Sequence, residues 1–306
     1  VKGIDVSSHQ GLIDWAKVKA SGIEFAIVRA GYGQYSTQVD SKAHQNFFGA
    51  LGAGLHVGAY WFSYATTPEE AKAEADLCAD TIEKYKGQLD FPIYFDYEYD
   101  SEIYSKQKGV IPTQSLRESL AKAFCEEIEA RGWRAGVYTN LDYLRTRWRM
   151  NALKSWEIWL ADYTGSPDVS CGMQQTGSTG RVDGVFSKVD TDTAFTDYPA
   201  LVREKGWNGF TAQPADWTSD TTNSTENPVI IASDAHYTVK ITGEDIGLVC
   251  GESGGKPAAF RLVRCRRENN ATLWHVIPFG EPGQEAGIYP AKGGARIFVA
   301  RIEKAV

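Results

Sequence analysis

Eight short apolar runs alternate with stretches of helical spacing through the first 205 residues, and this order limits the possible folds more than any other feature of the chain. The strand-like runs cover 1–6, 24–30, 56–62, 91–97, 134–139, 156–162, 170–175 and 187–190. Helical spacing marks 14–20, 40–50, 68–85, 113–131 and a shorter piece at 141–149. Thr67 followed by Pro68, Glu69 and Glu70 is a strong helix start, with a capping hydroxyl, a proline where no N–H is needed and acids at the positive end. The late strands lack helices of ordinary length between them. The order predicts an α/β chain closed as an eight-stranded barrel, regular at first and irregular at its end, rather than an open doubly wound sheet.

The fourth run ends in charged residues. In a strand, alternate side chains share a face, so Asp96 and Glu98 are expected on one side, attached about 6.6 Å apart, with Phe95 and Tyr97 on the other. Paired carboxylates near that separation serve acid-catalysed glycoside cleavage, and the value falls between those usual for retaining and inverting enzymes. Two acids side by side do not both ionise cheaply, and Tyr94, Tyr97 and Tyr99 add an enclosing wall. Glu98, with the longer reach, is expected to keep the proton as general acid, leaving Asp96 ionised to stabilise positive charge at a sugar carbon. Taken alone, an Asp-x-Glu at a strand end reads equally well as a solvated turn.

A barrel gathers the C-terminal ends of its strands at one mouth. Asp5 closes the first strand, Asp162 the sixth and Asp190 the eighth, so these acids are predicted to meet Asp96 and Glu98 there. Tyr32, Trp61, Phe62, Tyr64, Tyr138 and Tyr163 end equivalent runs and are expected to line the mouth, where flat faces suit sugar rings; each by itself is as readily a core residue. His9 stands beside Asp5, with a substrate contact and a structural hydrogen bond equally open.

Composition narrows the remainder. A chain of 306 residues with 42% hydrophobic content has room for one large domain and a small one. No run approaches the roughly 20 apolar residues of a membrane span, so no membrane insertion is expected. Residues 1–210 carry 28 acidic against 22 basic side chains, which argues against nucleic acid as a partner. Five widely spaced cysteines without a CxxC pair argue against a disulfide framework or a zinc site; Cys250 and Cys265 stand on two strand-like runs that are able to face each other. The five histidines lack HExxH spacing, and neither a metal nor another cofactor is expected. No signal peptide is visible, so synthesis in the cytoplasm is the expectation, a secreted form with its leader removed being the other. Gly251-Glu252-Ser253-Gly254-Gly255 matches a nucleophile elbow, but Lys256 and Pro257 lead to another strand where a helix is required, so a hairpin turn is expected.

Six segments in order carry a resemblance. They are Ile4-Asp5-Val6-Ser7-Ser8-His9-Gln10-Gly11, Ala26-Ile27-Val28-Arg29-Ala30, Gly58-Ala59-Tyr60-Trp61-Phe62-Ser63-Tyr64-Ala65, Phe95-Asp96-Tyr97-Glu98, Gly136-Val137-Tyr138-Thr139-Asn140 and Trp159-Leu160-Ala161-Asp162-Tyr163. Across about residues 1–200 the chain resembles the glycoside hydrolase family 25 lysozymes. The resemblance implies an irregular TIM-like (β/α)5(β)3 barrel that hydrolyses the β-1,4 bond from N-acetylmuramic acid to N-acetylglucosamine in peptidoglycan. It implies Asp5, Asp96, Glu98 and Asp190 as the catalytic site, Glu98 being the acid. Beside them, His9, Tyr32, Trp61, Tyr64, Tyr138, Asp162, Tyr163 and Gln174 are expected as substrate contacts. Two places depart from the family pattern. Met173-Gln174-Gln175 replaces a usual Trp-Gln-Tyr, and Val189-Asp190-Thr191-Asp192 replaces a closing Val-Asp-Leu-Asn.

From residue 209 to 228 the chain is rich in Thr, Ser, Asn, Asp and Pro and reads as a linker after a catalytic domain of 1–208. Residues 229–306 hold about seven short strand-like runs punctuated by Gly and Pro, a small all-β barrel or sandwich. Such a module beside a wall hydrolase is expected to bind the wall. Arg261, Arg264, Arg266 and Arg267 are placed to meet an anionic wall polymer or to keep an edge soluble, and Trp274 and Tyr289 to stack on sugars or fill the core. Three functions follow: a muramidase of endolysin or autolysin type, a glycosidase for another N-acetylated polymer such as chitin, and a wall-binding protein that no longer cuts.

Overall fold

Strands β1 (Lys2–Val6), β2 (Phe25–Tyr32), β3 (His56–Phe62), β4 (Ile93–Asp96), β5 (Ala135–Asn140), β6 (Glu157–Ala161), β7 (Met173–Gly180) and β8 (Val189–Ala194) close a barrel in sequence order in the computed structural model. It describes residues 1–210, 217–220, 227–243, 246–251, 259–291 and 296–305. The chain divides into two units, Val1–Ala212 and Gln213–Val306. The first seven strands pair in parallel, whereas β8 runs antiparallel to both β7 and β1. A parallel return needs a crossover of a dozen or more residues, and the connection from Gly180 to Val189 is too short for one. The strand therefore reverses, and in closing on β1 it sets Asp190 opposite Asp5.

Outside the barrel lie helices α1 (Trp15–Ala20), α2 (Ala43–Gly52), α3 (Pro68–Ile82), α4 (Tyr99–Gln107), α5 (Gln114–Ala130), α6 (Leu141–Thr146), α7 (Met150–Leu153) and α8 (Tyr198–Lys205). Thr67 caps α3 by accepting the N–H of Glu70 at 3.2 Å, the predicted start. Helix α4 is absent from the sequence expectation. Its residues have little apolar periodicity and it buries Ser101 and Ser105, so the periodic signal had nothing to register.

Strand alternation divides the apolar residues into two layers. Ala26, Val28, Trp61, Ile93 and Phe95 point outward into the core beneath the helices. Phe25, Ile27, Tyr60, Tyr94, Tyr138 and Trp159 fill the barrel itself. Gly3 makes room for that filling, because a Cβ there would stand 2.3 Å from the Phe25 ring.

The second unit holds β9 (Trp217–Ser219), β10 (Val229–Ala232), β11 (Tyr237–Gly243), β12 (Leu248–Cys250), β13 (Phe260–Glu268), β14 (Ala271–Pro278), β15 (Glu285–Pro290) and β16 (Phe298–Glu303). They form two four-stranded sheets, β10-β16-β15-β12 and β13-β14-β11-β9, over a core that includes Val239, Ile241, Phe260, Val276, Ile288 and Phe298. Strand β9 falls within the span expected to be linker and pairs with β11; its polar composition conceals a strand that a neighbour's backbone recruits. Trp274 belongs to the core, and Tyr289 is half-buried. All five cysteines are free; Cys250 and Cys265 lie in different sheets, and Cys265 is exposed. The expected turn at 251–257 lies, but for Gly251, outside the described residues. Among the described residues no helix is long and apolar enough to cross a membrane.

Candidate active site

Parity along each strand decides what reaches the barrel mouth. On β4, Tyr94 and Asp96 face inward while Phe95 and Tyr97 face the helices, where their rings stack 6.1 Å apart. The strand ends at Asp96, and Glu98 is the extended residue that caps α4, its N–H donating to Ser101 Oγ at 3.1 Å. Extended backbone through Tyr97 keeps both acids on one side, and their carboxyls meet in hydrogen-bond contact. Contact between carboxyls requires a shared proton.

Asp5, Asp96, Glu98 and Asp190 all line one cavity of about 300 Å³, with Arg29, Tyr60, Phe62, Tyr138, Trp159, Tyr163 and Gln175. Burial lifts Asp96 well above the usual carboxylate range, and the Glu98 charge lifts it further. Burial also raises Glu98, an effect its contact with Asp96 partly offsets. The sequence argument assigned the proton to Glu98, but enclosure falls more heavily on Asp96, 4% exposed, while Glu98 is half-buried at a helix N-terminus that favours its anion. In the free protein the shared proton is therefore drawn toward Asp96.

On the opposite wall, Asp5 accepts from Gln175 Nε2 at 2.8 Å. Gln175 Oε1 in turn accepts from Tyr138 OH at 3.0 Å and Tyr163 OH at 2.9 Å, fixing the amide's orientation. Burial and the nearby Asp192 and Asp190 push Asp5 far up, and burial raises Asp190 as well. Arg29 supplies positive charge: its Nε donates to Asp40 Oδ2 at 2.7 Å and its Nη2 to Ser8 Oγ at 3.1 Å. It also acts to lower Asp96.

Of the other residues expected here, Phe62, Tyr138 and Tyr163 line the cavity and the rest stand elsewhere. Trp61 is fully buried on the outer face of β3, its Nε1 donating to Gly33 O at 3.1 Å; Tyr60 and Phe62 hold the inward positions. Gly31 must lack a side chain to admit that indole, since a Cβ would stand 2.5 Å from it. Gln174 is likewise one residue out of phase. Its Nε2 donates to Asp162 O and Gly165 O at 2.6 and 2.8 Å, while Gln175 faces the cavity. Asp162 does not join the acids: it accepts from Thr164 N, Thr164 Oγ1 and Asp168 N, which hold its carboxyl below the usual range and shape the loop that carries Tyr163. Tyr32 and Tyr64 pack edge to face at 6.4 Å, and Tyr64 lines a separate cavity with Asp100 and Tyr104. His9 is exposed and lies outside the cavity lining. Arg29, Tyr60, Trp159 and Gln175 are the site residues that sequence reasoning missed. The signal for Arg29 was present, a lone charge in an apolar strand.

Fold and site together define a barrel glycosidase type, with Asp5, Asp96 and Glu98 at the C-terminal ends of parallel strands and Asp190 at the N-terminal end of the reversed β8. The chain belongs to the glycosyl hydrolases family 25, whose profile matches residues 4–184. Over 201 residues it is 30% identical to Lysozyme M1 of Streptomyces globisporus, covering 62% of this chain and 66% of that protein. Over 198 residues it is 29% identical to the autolytic lysozyme of Clostridium acetobutylicum, covering 63% of this chain and 55% of that protein. The matched stretch is thus less than two thirds of either relative. A bacterial lysozyme from Streptomyces coelicolor shares the fold with a TM-score of 0.52 at 24% identity, covering 66% of this chain and 95% of that one.

Proposed function

We propose that this chain is an N-acetylmuramidase that hydrolyses the β-1,4 bond from N-acetylmuramic acid to N-acetylglucosamine in peptidoglycan. The observation that carries the reading is the Asp96–Glu98 pair, two carboxyls in contact at the mouth of a family 25 barrel, both raised by burial. One proton is retained in such a pair near neutral pH, available to a leaving oxygen. A substrate N-acetyl N–H donating to Asp96 favours its anion and transfers the shared proton to Glu98, which protonates the glycosidic oxygen. Asp96 then stabilises the positive charge that develops at the sugar carbon. Contact between the two acids leaves no space for the water that inverting enzymes hold between theirs, which favours retention. Asp5 and Asp190 bound the opposite side of the sugar site, and Tyr138 and Tyr163 offer flat faces and hydroxyls to it.

The paired architecture, a barrel and a separate β unit, supports an endolysin-type role in which the second unit binds a sugar or anionic polymer of the wall and raises the local enzyme concentration. The decisive assay is reducing-end release from purified peptidoglycan, with the new end identified by mass spectrometry. Reducing muramic acid is expected from the native chain, with little or none from Glu98→Gln. Reducing glucosamine would reassign the bond, release from chitin in preference to peptidoglycan would reassign the substrate, and wall binding without cleavage would favour a non-catalytic role.

A further inference from the structure

Five carboxyls, not four, are gathered in the upper barrel. Asp192 faces inward two residues beyond Asp190 on β8, is 3% exposed, and accepts from Trp159 Nε1 at 2.8 Å through Oδ1. No N–H or hydroxyl reaches its Oδ2. Its carboxyl stands instead in hydrogen-bond contact with that of Asp5, whose Oδ2 is held by Gln175 and which the partly exposed Asp190 also contacts, Asp192 acting on Asp5 more strongly of the two.

The groups around Asp192 do not neutralise it. On its own strand stands Asp190, on β1 Asp5, on β4 the Tyr94 hydroxyl, on β6 the Trp159 indole, and on β7 the paired residue is Gln175. Among the described residues no lysine or arginine pairs with it, and Arg29, a cation of the cavity lining, is held by Asp40 and Ser8. Two buried carboxylates in contact without a cation repel each other strongly, so such a pair keeps a proton between its oxygens. Burial accordingly lifts Asp192 to about 8 and Asp5 well above its ordinary range.

We propose that Asp192 is a positioning residue that shares one proton with Asp5, and that the resulting O–H···O bond fixes the Asp5 carboxyl in the cavity. The bond lets Asp5 meet substrate in one orientation, clamped between Gln175 and Asp192, and it reduces the charge in a site crowded with acids. Loss of the shared proton at alkaline pH turns the clamp into repulsion between two anions. An amide at this position still offers an N–H to Asp5 but does not titrate.

The test combines a spectroscopic and a kinetic readout, and only the kinetic one rests on the muramidase reading. Difference infrared spectra of wild type against Asp192→Asn at neutral pH should show a carboxylic-acid C=O stretch in the wild type that the variant lacks. The band should titrate away between about pH 7 and 9. Asp5→Asn removes the other half of the pair and must abolish the same band, and it replaces Asp192→Asn should that variant not fold. On peptidoglycan, kcat/KM of Asp192→Asn should fall no more than about threefold at acid pH, yet lose about tenfold less activity than wild type as pH rises to about 9. Spectra that differ only in carboxylate bands, or pH profiles that superimpose, overturn the proposal. A wild type that cleaves no wall while showing the band would remove the muramidase reading and leave the shared proton standing.

Discussion

The two acid clusters at the barrel mouth are built in opposite ways. Asp96 and Glu98 are neighbours but one, and local backbone suffices to place them: a strand end, one extended residue, a helix start. Asp5, Asp190 and Asp192 come from the first and last strands of the barrel and meet only because β8 reverses direction and zips against β1. Each cluster borders solvent at one member, Glu98 in the first and Asp190 in the second, but only the second is pinned from below by the Trp159 indole and from the side by Gln175. Proximity in sequence thus yields a pair poised to exchange a proton with substrate, and proximity through topology yields a braced wall.

Breaking the first cluster should have the largest effect. Glu98→Gln or Asp96→Asn is expected to lower kcat on peptidoglycan by about 10²–10⁴-fold, the usual contribution of a positioned acid or charge stabiliser. The melting temperature should stay level, because the amide N–H takes the place of the shared proton in the contact with the remaining carboxylate. A variant that loses activity only in proportion to lost folded protein would show these acids to be structural.

Breaking the second cluster should have a smaller effect and can be compared with a silent neighbour. Gln175→Leu deletes the N–H held by Asp5 and the acceptor of two tyrosine hydroxyls, and should lower kcat/KM by about ten- to a hundredfold, equivalent to about 1.4–3 kcal/mol. Gln174→Leu removes two donations to loop carbonyls and should cost about 1–2 kcal/mol in chemical denaturation, with a much smaller effect on kcat once folded. Equal kinetic effects from the two would erase the distinction between inward and outward positions on β7.

That distinction also sets how much of the site was legible in the sequence. The barrel could be read because eight apolar runs and their caps are local signals, and Asp96, Glu98 and Asp5 because each stands at the end of a run; Asp190, expected to close the eighth strand, instead stands near the start of β8 and reaches the mouth because that strand is reversed. Trp61 and Gln174 were misplaced for one physical reason. Strand faces alternate residue by residue, and no local signal marks which of two adjacent polar or aromatic residues looks inward when both environments are buried. Asp162 sits at a strand end like the others, but its acceptors are taken up by Thr164 and Asp168, a loop geometry invisible to spacing. Helix α4 and strand β9 were missed because neither carries an apolar rhythm; each is formed by what it packs or pairs with.

A solitary buried acid provides the control for both clusters. Glu74 of α3 is fully buried, its Oε1 accepts the Tyr64 N–H at 2.8 Å, and its carboxyl meets Ser63, whose own N–H donates to Asp96 O at 2.8 Å. Burial without a cation raises Glu74 to about 8 from 4.5. With the folded value above the unfolded one, the folded state binds the proton more tightly. Stability is then greatest at acid pH and declines as pH rises from about 4.5 through about 8, by up to a few kcal/mol. Glu74→Gln keeps an acceptor for Tyr64 and cannot ionise, so its melting temperature should match wild type near pH 5 and exceed it above about pH 8. Activity near neutral pH should change little, because Glu74 supports the loop after β3 and touches no group in the cavity. A curve parallel to wild type at every pH would mean that Glu74 is ionised and solvated throughout. Any decline of stability with rising pH would then belong to the raised acids of the two clusters, whose buried protons are lost with the same sign, so the comparison separates the stability held by Glu74 from that held at the mouth.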